Sequence, residues 1–159
     1  MSNENEEVKD LQKRQKAIEE LRGFVGITPD RVVFATPEAF KIAYPNDRGK
    51  WPVFKIKPMD GLDFNAEIDD EALYRWDKEL RRYLVISGAF RMARIRRCVL
   101  DWRNYMGPDG KEVPCQKGED GKITEAAVRS LSGPTQLWLM EQIDAAASVT
   151  PEESDGLKF

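Results

Sequence analysis

Three sets of residues have types and spacings that could do chemistry: the paired carboxylates Asp69-Asp70-Glu71 and Glu152-Glu153, the thiols Cys98 and Cys115, and the arginines between 75 and 97. Adjacent carboxylates suit general acid–base work, which needs one group protonated and its neighbour ionised. Both acidic sets stand at expected helix starts, however, where carboxylates face the positive end of the helix dipole. None of the 159 residues is a histidine. That excludes a Ser-His-Asp or Cys-His nucleophile pair, a histidine general base and a histidine-ligated zinc. The two cysteines fall in no metal-ligand spacing. A disulfide between them stays open, although cytoplasmic-looking ends weigh against it. Cys98 lies in an apolar helical pattern and reads as a small core residue. No segment offers the alternating acidic ligands of an EF-hand loop, and neither GxGxxG nor GxxxxGK occurs. No catalytic set, cofactor or metal is expected.

The arginines are the one charge anomaly. The chain carries 25 basic and 28 acidic residues, a net charge of −3 that gives no general case for nucleic acid. Between Arg75 and Arg97, however, Arg75, Lys78, Arg81, Arg82, Arg91, Arg94, Arg96 and Arg97 stand against only Asp77 and Glu79. On a helix, Arg91, Arg94 and Arg97 drift slowly around one side, as a patch for phosphates or an acidic protein would. The plainer reading is a solvated face paired with the acidic termini. Without interleaved aromatic residues, nucleic acid is the weaker expectation.

The elements that must position these residues follow from periodicity. Length and a 41% apolar content fit one domain with a single core, and a 33% charged content fits a helix-rich one. Glu7 to Leu21 reads as an amphipathic helix, with Val8, Leu11, Ile18 and Leu21 at helical spacing and Gly23 and Gly26 ending it. Residues 28 to 60 read as strand and turn. "RVVFAT" is β-rich, and "WPVFKIKP" alternates between Pro52 and Pro58, which predicts a short edge strand. Asp60 caps a short helix to Glu67. From Asp69 the spacing predicts a longer helix with Leu73, Trp76, Leu80, Tyr83 and Leu84 on one stripe. A second helix follows through Met92, Ile95, Val99 and Trp102. Trp76 and Trp102 are expected in the core.

The turn "GPDGKEVP" then predicts a small hairpin in which Gly110 takes positive φ. "KGEDGKI" predicts a second turn, and Thr124 caps a helix to Leu131. Pro134 opens the next helix, which carries Leu137, Met140, Ile143 and Ala147, with Trp138 and Leu139 widening its face. Thr150-Pro151-Glu152-Glu153 forms a capping box. The expected fold is α+β and predominantly helical: short N-terminal strands, a central helical pair, a small β-hairpin and C-terminal helices. Its expected organisation is an arm at 1–27, a domain at 28–149 and a tail at 150–159. The first ten residues lack a basic and apolar leader, and "YLVISGAF" is too short to span a bilayer, so no membrane segment is expected.

Taken in order, several segments resemble one family. These are Trp102 followed by Asn104, the Pro108-Asp109-Gly110 turn, Val113-Pro114, a short helix ending at Leu131, an apolar helix closing at Ile143, and "VTPEE". With "WPVFKIKPMDGLDF" ahead of them, they resemble the tail assembly chaperones of long-tailed bacteriophages, from Trp51 to Glu153. Asp101 stands where that family usually has glycine. The resemblance implies a non-enzymatic protein of the host cytoplasm, absent from the finished particle. It would coat the aggregation-prone tape-measure protein and help recruit tail-tube subunits. The family also implies self-association and, often, a frameshifted longer form. Contacts are then expected at Val8, Leu11 and Ile18, at Trp138 and Leu139, and at Arg91, Arg94 and Arg97. A nucleic-acid-binding protein or a structural virion protein is the alternative.

Overall fold

A computed structural model of the chain describes residues 2–21, 31–146 and 157. The capping box at 150–153, Gly23 and Gly26 lie outside the described residues. Helix α1 runs from Ser2 to Leu21, longer at its start than the apolar spacing marks.

The core is built on a three-stranded antiparallel sheet. Strand β1 (Val33–Ala35) and strand β5 (Val99–Arg103) flank β2 (Val53–Ile56), with Phe54 opposite Trp102 and Val33 opposite Ile56. The expected edge strand is therefore the central one. Pro52 and Pro58 lie just outside it, so no ladder amide is lost, and Val53, Phe54 and Ile56 are all buried. A bulge between Lys55 and Ile56 absorbs Leu100 of the partner strand. A short helix α2 (Glu38–Ala43), which the strand-and-turn reading of this region did not anticipate, links β1 towards β2.

Helix α4 (Ser87–Cys98) buries Ile95 and Cys98 on the sheet, and α5 (Glu125–Arg129) and α6 (Gly133–Ala145) close the far side. Thr124 and Ser132 cap the last two by accepting from the amides of Ala127 and Thr135, as their positions predict. Phe54 is the hub: its ring lies 6.0 Å from Trp102, 6.1 Å from Tyr105 and 5.5 Å from Trp138. Val128, Leu139 and Ile143 complete the core. Leu137, expected on the inward stripe, is exposed.

The central helical pair does not form. Only its second member is helical. The segment after α3 (Gly61–Asp69) becomes a 3₁₀ turn at Glu71–Leu73 and then an antiparallel hairpin, β3 (Tyr74–Asp77) and β4 (Arg82–Val85). Val99 and Trp102, expected to continue the next helix, belong to β5. With helix at 51% and strand at 18%, the chain is mixed α+β rather than predominantly helical. The reason lies in side chains: Tyr74 and Trp76 alternate with Arg75 and Asp77 on one arm, and Tyr83, Leu84 and Val85 supply β-favouring side chains on the other, a pattern that fits a pleated surface as well as a helical stripe.

The small hairpin at 105–114 shrinks to one bridge, Met106 to Glu112, and the same device recurs at Lys117 and Ile123. In each loop a Gly-x-Asp-Gly-Lys run closes on itself: Gly107 N donates to Lys111 O, and Gly118 N donates to Lys122 O. The Asp109 and Asp120 side chains accept from the amides two residues on. Gly110 at φ 75° and Gly121 at φ 77° supply the left-handed residue each turn needs.

Candidate partner-binding surface

Helix α3 is folded inside out. Asp60 starts it through a capping box: its carboxylate accepts from Asp63 N at 2.9 Å, and Asp63 returns the bond to Asp60 N. The helix then buries its carboxylates, with Asp63 and Glu67 only 8% and 4% exposed. Leu62, Phe64 and Ile68 point to solvent, Ile68 at 68% exposure. Buried carboxylates need partners, and α4 with the end of β2 provides them. Lys57 Nζ lies 3.0 Å from Asp63. Arg94 grips Glu67 with Nε and Nη2 at 3.0 and 2.9 Å, and Arg97 donates to Asp63 O at 2.7 Å. The hydrogen bonds to Glu67 raise the Arg94 pKa above its already high value and keep the guanidinium charged.

The hairpin continues this exposed face. Leu73 is buried and anchors its base, Ile86 N donates to Leu73 O, and the Tyr74 hydroxyl donates to Glu67 O at 3.2 Å. At the tip, Asp77 accepts from Leu80 N, and Arg81 takes φ 51°. Alternation puts Tyr74 and Trp76 on one side of β3, opposite Val85 and Tyr83 of β4. The Trp76 and Tyr83 rings meet edge to face at 5.1 Å, yet Trp76 is 52% and Tyr83 70% exposed. Between this face and α3 runs an open groove of about 680 Å³ lined by Ile68, Glu71, Tyr74 and Tyr83. Exposed apolar side chains grouped in this way on a folded chain make this face the candidate contact surface among the described residues.

The residues expected to make contacts do not form one surface. Val8, Leu11 and Ile18 are exposed on α1, as its spacing predicts. Leu139 is fully buried in the core, so it offers no outer contact, and Trp138 is half-buried against Phe54. The arginine patch is mostly committed inside the molecule. Arg94 holds Glu67 and reaches Asp144 at 3.2 Å, Arg96 donates to Ile123 O, and Arg97 holds Asp63 O. Their spacing reflects the need to clamp α3 and the second loop onto α4. Arg91 is half-buried on the same helix.

The sequence reading missed Phe64, Ile68, Trp76 and Tyr83 as contact residues. For Trp76 and Tyr83 the signal was the alternation in "YRWD" and the β-favouring run in "RYLV" on either side of a polar turn; Phe64 and Ile68 share a helix face by their i, i+4 spacing, which does not say that the face points outward. Of the chemical candidates, Asp70 caps the 3₁₀ turn by accepting from Ala72 N. Both cysteines are free thiols; burial pushes Cys98 up to about 12 and Cys115 up to about 11, far from a reactive thiolate. Among the described residues no group of three or more potential ligands could hold a metal ion, and no helix is long and apolar enough to cross a membrane.

Comparison with known proteins gives no match: no family model fits the chain, and neither a curated protein nor a solved structure is similar to it.

Proposed function

We propose that this chain is a non-enzymatic tail assembly chaperone of a long-tailed bacteriophage. In the host cytoplasm it keeps the tape-measure protein soluble, helps recruit tail-tube subunits, and leaves before the particle is complete. The observation that carries this reading is the exposed apolar face of α3 and the β3–β4 hairpin, in a chain whose ordered segments resemble that family. An assembly chaperone needs reversible contacts of modest area, and an open aromatic face provides them. The exposed stripe Val8, Leu11 and Ile18 is a second such contact.

Co-expression with the tape-measure protein tests the proposal. The expected result is a higher soluble yield of that protein and a complex on sizing, both lost when Tyr83 and Ile68 are replaced by lysine. No change in yield and no complex would overturn it. The nucleic-acid alternative is the weaker reading, because of its three arginines Arg94 and Arg97 are held by internal partners, while Arg91 is half-buried on the same helix. Mass spectrometry of purified particles tests the remaining alternative, since a structural component would be found there.

A further inference from the structure

Val33 through Thr36, the whole of β1 and the residue after it, border one pocket of about 240 Å³. Neighbouring residues of a strand point to opposite faces, so four in a row share a pocket only along the strand's edge. Strand β1 lies at the edge of the core sheet, with β2 on its inner side. Lys41 of α2, Gln142 of α6 and Leu157 complete the described lining. None of these residues borders the groove between α3 and the hairpin, so this is a second and separate place.

Thr36 sets the pocket apart. The residue is 6% exposed, and among the described residues its Oγ1 is a buried side-chain oxygen with no hydrogen-bond partner. A hydroxyl taken out of water with nothing to bond costs stability, and buried polar groups are as a rule paired. The other buried polar side chains, Asp63 and Glu67, follow that rule. Thr36 instead keeps its orphan hydroxyl beside a cavity.

The neighbours define the group that satisfies it. Lys41 brings an ammonium; its contact with Glu38 is 3.8 Å long, and that carboxylate is 75% exposed, so solvent screens the pair. Gln142 brings a carboxamide that donates through its nitrogen. No acidic side chain stands in the described lining. We infer that the pocket binds a carboxylate group, which accepts from the Thr36 hydroxyl and the Gln142 amide and pairs with Lys41. One ammonium balances one negative charge, whereas a phosphate brings close to two. The inference rests on this pocket and not on the chaperone reading. Two sources share the chemistry: a small organic acid, and a Glu or Asp side chain in an extended segment of another protein.

Amide chemical shifts and the thermal midpoint of the full chain at neutral pH and constant ionic strength test this. The probes are butyrate, its neutral amide, and the blocked pentapeptides Thr-Val-Glu-Val-Thr and Thr-Val-Gln-Val-Thr. Butyrate or the Glu peptide is expected to bind with a dissociation constant of about 5 mM or below, shifting amides at residues 33–41 and raising the midpoint. Tighter binding of the Glu peptide assigns an extended acidic segment, and equal or tighter binding of butyrate assigns a small organic acid. Thr36→Val removes the hydroxyl at nearly constant shape, and Lys41→Met removes the charge from a partly exposed side chain. Each is expected to weaken binding about tenfold or more. Without ligand, Thr36→Val should hold or raise the midpoint, because the unpaired oxygen is gone. If it lowers the midpoint instead, Lys41→Met and Thr36→Ser decide: the first should lose binding, and the second, which keeps a hydroxyl, should retain it. Three results overturn the inference: no binding by about 50 mM, equal binding of a neutral probe and its acidic counterpart, or full affinity in either Thr36→Val or Lys41→Met.

Discussion

Helices α6 and α3 use their side chains in opposite ways. Helix α6 turns Leu139 and Ile143 inward and joins a core of Phe54, Ile56, Ile95 and Val128. Helix α3 turns Asp63 and Glu67 inward and leaves Phe64 and Ile68 outside. The two are held by different physics. The first loses apolar area to water if it leaves, a non-directional force that grows with area. The second is held by charge-assisted bonds to Lys57, Arg94 and Arg97, which are directional and fail together if one partner is lost. An ionic hold lets the chain keep an apolar face in the open, because α3 does not need that face to stay in place. One half of the molecule is held by its apolar core, and the other leaves apolar side chains exposed.

The sharpest way to break this contrast is to truncate one aromatic residue in each half. Phe54 is fully buried and touches three other rings, so Phe54→Ala should cost about 4 kcal/mol, read from the midpoint of chemical unfolding. Trp76→Ala should cost about 1 kcal/mol at most, the worth of its pairing with Tyr83, while abolishing contacts made by the face. Equal losses of stability would show that the hairpin is core after all.

A second change tests the ionic hold. Arg94→Ala leaves Glu67, 4% exposed, without its guanidinium and should cost about 3 kcal/mol. Arg94→Leu combined with Glu67→Leu should recover most of that loss in a double-mutant cycle, because no charge is then left buried alone. If Arg94→Ala is neutral, α3 is held by something other than its carboxylates.

These differences mirror what was legible in the sequence. The core half was readable where chemistry is local: the Thr124 cap, Pro134 at a helix start and Gly110 at positive φ each depend on one or two residues and appear where expected. The sheet order was not legible, because flanking prolines signal an edge only if they fall inside the ladder, and Pro52 and Pro58 fall outside it. The presenting half misled more deeply. Trp76, Leu80, Tyr83 and Leu84 satisfy a helical stripe, yet Trp76, Leu80 and Tyr83 are exposed, so no core enforces a helix and local β preference prevails. The arginines looked like a binding patch because nothing in their spacing shows that Asp63 and Glu67, some thirty residues earlier, point inward to meet them.

The paired loops give a smaller test on the stable side. Gly110 and Gly121 have the same turn and open space where a side chain would point, so alanine at either meets only the strain of positive φ. Each substitution should cost about 1 kcal/mol, and the two should match. Unequal costs would mean that one loop carries a contact the other lacks.

The smallest expected effect concerns acid, and it separates the halves by kind rather than by size. The Asp60 carboxylate is held below its ordinary value of 3.8, chiefly because the backbone N–H of Asp63 donates to it, with Lys57 adding its charge. A carboxylate whose folded pKa is depressed contributes stability above its unfolded value and loses it as pH falls through the folded one. The cap on α3 should therefore be intact at pH 5 and weaken below about 3.8. Nothing comparable caps α6, whose start is held by the uncharged Ser132. Hydrogen-exchange protection at residues 64–69, compared with 137–143, should fall between pH 5 and 3 in the first segment alone. Asp60→Asn keeps an acceptor at the cap but removes its titration, so that variant should lose part of the pH dependence while α3 still forms. Parallel loss of protection in both segments would mean that acid acts on the whole fold rather than on the cap of α3.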